Sequence, residues 1–206
     1  MTGMTDFLVR VNEFINPKCQ KDALKRQLNF MTYELKTAAL SYEDKLERLK
    51  KSIWFMFEHK EIKAHSMERV RDVSDVLIES VVNKKRGSAV TVSILFKQMC
   101  EEVDVKLDIV STKSLSLLKF VDKGKAFFVD VVDKKILTAE EILSKINAQI
   151  ARDRKLGVDA FERKSIEEVF VLYLRVLKVY LKNQPFYRQA KFDLSRFFQF
   201  GSGKDS

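Results

Sequence analysis

Few residues in this chain have the types that do nucleophilic or metal chemistry. Among 206 residues there are two cysteines, Cys19 and Cys100, and two histidines, His59 and His65. A cysteine attacks as its thiolate, and a nearby histidine is the usual base that supplies the thiolate at neutral pH. The two cysteines are far apart and do not form a metal-ligand pair. His59 and His65 are six residues apart, a spacing that puts them on different faces of a helix, so a two-histidine metal site is not expected. Both lie in lysine-rich sequence and read as surface residues. Cys100 falls three turns into an apolar helix and reads as a core thiol. Cys19, just after Pro17, is the cysteine with a route to solvent. A dyad of Cys19 with His59 or His65 is therefore the one thiol chemistry left open. Lys84-Lys85-Arg86 read as a solvated helix end, with an anion- or partner-binding patch as the functional alternative.

The elements that must position these residues are mostly helical. Phe7, Leu8, Val11, Phe14 and Ile15 share a helical face. Leu24, Leu28, Met31 and Leu35 repeat the pattern after Pro17, and Leu46, Leu49, Ile53 and Phe57 repeat it again. Ser41, with Asp44 three residues on, is the expected N-cap of that third helix. Asp72 to Val82 carries a further apolar stripe. Lys84 to Gly87 interrupt the pattern. From Ser88 to Cys100, Ala89, Val92, Ser93, Phe96, Met99 and Cys100 fall on one face of a buried helix, although its β-branched residues favour strand. From Val105 the period becomes two. Leu115 to Val121 and Ala126 to Val132 are expected strands, joined by a hairpin turn at Asp122-Lys123-Gly124. Thr138-Ala-Glu-Glu141 is a capping box. The segment 151–165 reads as an exposed basic connection, 166–182 as a largely buried helix, and Phe186 to Phe200 as a shorter aromatic one. The fold class is α+β: N-terminal helices, a buried helix on a small antiparallel sheet, and a C-terminal helical pair.

Composition agrees. Glycine numbers 6 and proline 2, too few for a turn-rich all-β architecture, and apolar residues make up 46%, enough for a real core. The net charge of +9 divides as +2 over 1–50, +3 over 51–100, −1 over 101–150 and +5 over 151–206. The excess lies at the flanks, and the simplest account is a lysine-rich solvated surface. A basic balance also admits an acidic partner, nucleic acid included. No run is long enough to span a bilayer, and the N-terminus lacks the pattern of a secretory signal, so a cytoplasmic protein is expected.

Residues 41–143 resemble the SirB-type bacterial branch of the transglutaminase-like superfamily. Ser41-Tyr-Glu-Asp-Lys-Leu-Glu-Arg-Leu-Lys is similar to that branch's "YEEKLEALN" helix. Asp72 to Gly87 resembles its "DPxNSYLxxVLxRRxG" element, and Ser88 to Cys100 the helix that follows. Leu117-Leu-Lys-Phe and Phe127-Phe-Val-Asp130 resemble its two-strand segment, where "GHFL" precedes "xxDPF". Arg175-Val-Leu-Lys-Val-Tyr-Leu is similar to its C-terminal "RxLxNLKxxY" helix. The resemblance implies a papain-like core, with a cysteine at the start of the buried helix, a histidine from the first strand pair and an Asp on the next strand. Active transglutaminases carry a pattern close to Arg-Gly-x-Cys. Here it is Arg86-Gly87-Ser88-Ala89, so the resemblance puts Ala89 in the nucleophile position, which in the SirB-type branch is usually proline. The family's histidine falls at or beside Leu115, and no histidine follows His65. Asp130 alone keeps the acid position. It reads equally as a relic acid and as a strand carboxylate that caps a turn or pairs with a lysine.

The resulting expectation is a non-catalytic binding or regulatory module, with no cofactor and no metal. Its partner is another protein, its oligomeric state is left open, and no membrane is involved. The competing expectations are a basic nucleic-acid-associated protein and a thiol enzyme using Cys19. The chain divides into an N-terminal helical segment (1–40), a transglutaminase-like core (41–150), C-terminal helices (151–200) and a flexible tail (201–206).

Overall fold

A computed structural model describes residues 3–111, 116–147, 161 and 163–181. Three helices come first: α1 (Gly3–Ile15), α2 (Lys21–Ala39) and α3 (Lys45–Trp54). The buried positions of α2, Leu24, Leu28, Met31, Leu35 and Ala39, follow the three- and four-residue spacing seen in the sequence. The cap of α3 differs from expectation. It is Asp44, not Ser41, whose carboxylate accepts from the backbone N–H groups of Leu46 (2.8 Å) and Glu47 (3.2 Å). An ionised acceptor next to the helix suits both the orphan donors and the dipole. Beyond Trp54 the helix widens into a π turn, Phe55–His59. This buries Phe55, Met56 and Phe57 together, three consecutive side chains that one face of an α-helix cannot hold.

A pair of short parallel strands follows, β1 (Lys63–His65) and β2 (Arg86–Ser88), in the register Lys63–Arg86, Ala64–Gly87 and His65–Ser88. Between them the expected helical stripe is split. Val73–Val76 form a 3-10 turn, capped by the Asp72 side chain on the Ser74 N–H (2.7 Å). Leu77 is extended, and α4 (Ile78–Lys84) begins after it. Lys85 ends α4 in the left-handed conformation, with φ 56°.

The helix α5 (Ala89–Glu101) runs through the centre, and Val90 to Phe96 are all buried. Burial on all sides overrides the strand propensity of its β-branched residues. A four-stranded antiparallel meander packs on it: β3 (Asp108–Ser111), β4 (Ser116–Asp122), β5 (Lys125–Asp130) and β6 (Lys135–Thr138), in that order. Residues 105–107, expected as strand, precede the ladder. Val105 and Leu107 are nonetheless fully buried. The β4–β5 turn is Lys123-Gly124, both at positive φ (48° and 78°), as a tight hairpin requires. Ile109, Leu118 and Val129 face the main core, while Val110, Leu117 and Phe128 face a second cluster closed by Ile142 and Phe161. The sheet is therefore covered on both sides.

The helix α6 (Ala139–Asn147) opens on the expected capping box. Thr138 N–H donates to Glu141 (2.7 Å), and Glu141 N–H donates to the Thr138 hydroxyl (3.3 Å). The helix α7 (Ile166–Leu181) packs back on α1, with Phe7 and Phe170 stacked at 4.0 Å. Residues of α1, α2, α4, α5 and α7 share one continuous core. The second helix of the C-terminal pair, the tail and residues 151–160 lie outside the described residues. The class is α+β.

Candidate functional site

The start of α5 is the place to look for chemistry, because backbone N–H groups and the helix dipole favour an anion there. Gly87 delivers the chain to it. A Cβ at Gly87 would stand 2.4 Å from a methyl of Val81, so only glycine lets β2 pass this close to α4. Ser88 then caps the helix, accepting from Thr91 N–H at 3.2 Å. The Ser88 and Thr91 hydroxyls are 2.8 Å apart, and Thr91 donates to the Val76 carbonyl at 2.7 Å. Tyr173, from α7, donates to the same carbonyl at 3.2 Å. Ser88 and Thr91 are fully buried, so both hydroxyls belong to a closed network and neither faces a substrate. Ala89 follows, half-buried, as the first residue of α5.

Asp130 ends β5 and is 2% exposed. One carboxylate oxygen accepts from the N–H groups of Val132 (2.9 Å) and Asp133 (3.2 Å). The other accepts from Lys145 on α6 at 2.6 Å, and Lys145 also holds Asp133 at 2.6 Å. Burial works to lower the pKa of Lys145, but its bonds to Asp130 and Asp133 outweigh that and hold it above the ordinary lysine value. The Lys145 hydrogen bond likewise pulls the Asp133 carboxyl down. Asp130 thus caps a turn and pairs with a lysine. Neither histidine is hydrogen-bonded to it. Leu115 lies outside the described residues.

The histidines go to separate places. His59 closes the π turn, exposed and stacked on Trp54 (5.4 Å, 17°). His65 is half-buried on β1, across the ladder from Ser88, which puts it beside the start of α5. Its Nδ1 is buried and has no partner. The sequence reading took His65 for a surface residue. The signal it passed over is the alternation Ile62-Lys63-Ala64-His65, with Ile62 and Ala64 buried and Lys63 exposed, a short strand hidden among lysines.

The thiols stay apart from both histidines. Cys19 borders a shallow space with Lys18, Gln20, Gln27, Glu79 and Asn83, and no histidine lines it. Burial pushes its pKa up, the Glu79 charge adds to this, and a hydrogen bond with Asn12 opposes it only in part. Burial drives the Cys100 thiol far up. Both are free. Among the described residues, no three His, Cys, Asp or Glu side chains gather as metal ligands would, and no helix is long and apolar enough to cross a membrane.

Lys84, Lys85 and Arg86 lie on the rim of a concave space beneath β1 and β2. Lys63 and His65 of β1 and Lys134 of the β5–β6 turn line it as well. Lys134 donates to the Phe57 carbonyl at 3.4 Å, which ties the sheet to the π turn across this space. The basic tripeptide was a candidate from the sequence, but Lys63, His65 and Lys134 were not.

The sequence profile of the transglutaminase-like superfamily matches residues 22–174. Comparison with curated proteins and with solved structures gave no match. The matched span runs from the first turn of α2 into α7, taking in α5, the meander and everything between, and the chain therefore belongs to the transglutaminase-like superfamily.

Proposed function

We propose that this chain is a non-catalytic member of the superfamily, of its SirB-type branch, and that it works by binding another protein. The observation that carries the reading is the state of Asp130. Its oxygens accept from the turn and from Lys145, and neither histidine is among its partners. The methyl of Ala89 and the closed hydroxyl network at the start of α5 support the same reading. The elevated thiols of Cys19 and Cys100 weigh against a displaced nucleophile.

Support for a protein partner comes from the surface between α2 and α3. Phe30, Tyr33, Tyr42 and Trp54 are between 40% and 67% exposed and line one groove. Lys51 sits 3.5 Å over the Trp54 ring. Exposed aromatics with a polar rim suit an apolar segment of a protein.

The test measures amine incorporation into a glutamine-containing peptide and amide hydrolysis by the purified chain. No turnover above background is expected. Turnover that disappears in Cys19→Ser or Cys100→Ala removes the reading. For the partner, a protein crosslinked in the native cell should also bind in purified form, and should be lost with Phe30→Ser/Tyr33→Ser. Equal binding by that variant counts against the groove.

A further inference from the structure

Five cationic side chains, Lys63, Lys84, Lys85, Arg86 and Lys134, line the single concave space of about 580 Å³ beneath β1 and β2. Lys84, Lys85 and Arg86 are consecutive, and Lys63 from β1 and Lys134 from the β5–β6 turn join them from distant parts of the chain. Glu58 and Glu61 are the acidic residues of the wall. Arg86 is paired with the buried Asp75 at 3.2 Å, and Lys134 approaches Glu58 at 3.6 Å. Lys84 donates to the Ser74 hydroxyl (3.3 Å) and lies near the Asp72 carboxylate, whose pKa its charge helps to lower. Lys63 and Lys85 have no side-chain partner among the described residues. Within the wall five cations face the two carboxylates of Glu58 and Glu61, and the nearby carboxylates of Asp75 and Asp72 act on Arg86 and Lys84, which leaves the space net positive.

The backbone adds a second observation. Glu61, Lys85 and Lys134 all border this space with left-handed φ (56°, 56° and 57°). Glycine adopts that conformation without steric cost and is the usual residue where a helix ends as α4 does. Asp104 and Lys123 share the conformation away from this space. His65 is also part of the wall, with its Nδ1 turned away from solvent.

We propose that this space binds a phosphate monoester. Such a group carries about −1.5 to −2 at pH 7, lysines contact phosphate oxygens as point charges, and Lys63 and Lys85 are, among the described residues, the cations of the wall without a side-chain partner. The volume also leaves room for the group that bears the ester. The bearer is a small molecule or a phosphorylated side chain of the partner protein. The proposal rests on reading the domain as a binding module, but its test is independent of catalysis and of the aromatic groove.

The test is calorimetric titration of the full chain with glycerol phosphate and with a short phosphoserine peptide, using acetate and duplex DNA as competitors. Saturable binding of either ester is expected. Binding by both points to the group itself, and binding by the peptide alone points to the side-chain source. Lys85→Gly relieves a left-handed lysine, so it should fold as stably as the parent while binding at least tenfold more weakly; Lys63→Met should weaken binding equally. Lys106→Met, on the exposed surface away from the space, should change nothing. The proposal is overturned if neither ester saturates, or if Lys85→Gly and Lys63→Met bind as the parent does. Equal displacement by acetate would also overturn it. So would displacement by duplex DNA at equal phosphate concentration, which would assign the surface to nucleic acid.

Discussion

Replacing Asp130 separates a structural carboxylate from a catalytic one. In Asp130→Ala, the N–H groups of Val132 and Asp133 lose their acceptor, at about 1 kcal/mol each. The charge-assisted bond to Lys145 is lost as well. Lys145 is 30% exposed and keeps Asp133 as a partner, so this part is set at the low end, about 1 kcal/mol. The expected loss is about 3 kcal/mol. With a urea slope of about 2 kcal/mol per molar, the unfolding midpoint falls by about 1.5 M. The single tryptophan, Trp54, is 44% exposed beside the π turn and reports unfolding by fluorescence. Asp130→Asn keeps an oxygen for the turn and loses only the charge, so it should lose about 1 kcal/mol. An Ala variant within about 0.5 kcal/mol of the parent would refute the assignment of these three bonds to stability. An Asn variant that folds normally but abolishes a measurable turnover would refute the non-catalytic reading itself.

The same cluster predicts acid sensitivity. The folded pKa of Asp133 is depressed, so its contribution is present above the unfolded value near 3.9 and is lost as pH falls through the folded one. Stability should decline below about pH 4, and this decline should be shallower in Lys145→Met, as followed by urea midpoints across pH. Gly87→Ala should cost about 1–3 kcal/mol through the 2.4 Å contact with Val81, and the double variant Gly87→Ala/Val81→Ala should cost less than the two single losses combined. Native Cys100 should resist alkylation until the protein unfolds, and Cys19 should react more slowly than a free thiol at pH 8; fast labelling of either by mass spectrometry contradicts the burial argument. A thiol introduced by Ala89→Cys should titrate below Cys19, since the α5 dipole and Arg86 favour its thiolate, and an alkylation profile no lower than that of Cys19 would show the helix start to be electrostatically closed.

The amino-acid sequence by itself determined the features set by near neighbours in the chain. The spacing in α2, the capping box at Thr138 and the paired positive φ at Lys123-Gly124 each depend on residues a few positions apart. The absence of histidine beyond His65, and alanine at 89 where the resemblance implies a thiol, were legible for the same reason: both are read directly off the chain. Asp44 took the cap expected of Ser41 for an equally local reason: the chain enters α3 extended at Asp44 (ψ 130°), and that places its carboxylate over the Leu46 and Glu47 N–H groups. Other features depended on partners far along the chain. The role of Asp130 was decided by Lys145, fifteen residues on and brought back by α6. The parallel pairing of β1 with β2 joins segments more than twenty residues apart, and Ile62, Ala64 and Gly87 are all buried there. That pairing moved His65 from an apparent surface lysine run to the start of α5 and set Lys63 opposite Arg86, while the packing of the sheet on the π turn brought in Lys134. Local periodicity carries no record of which distant segments share a buried face, and the convergence of charge in this protein is a property of that sharing.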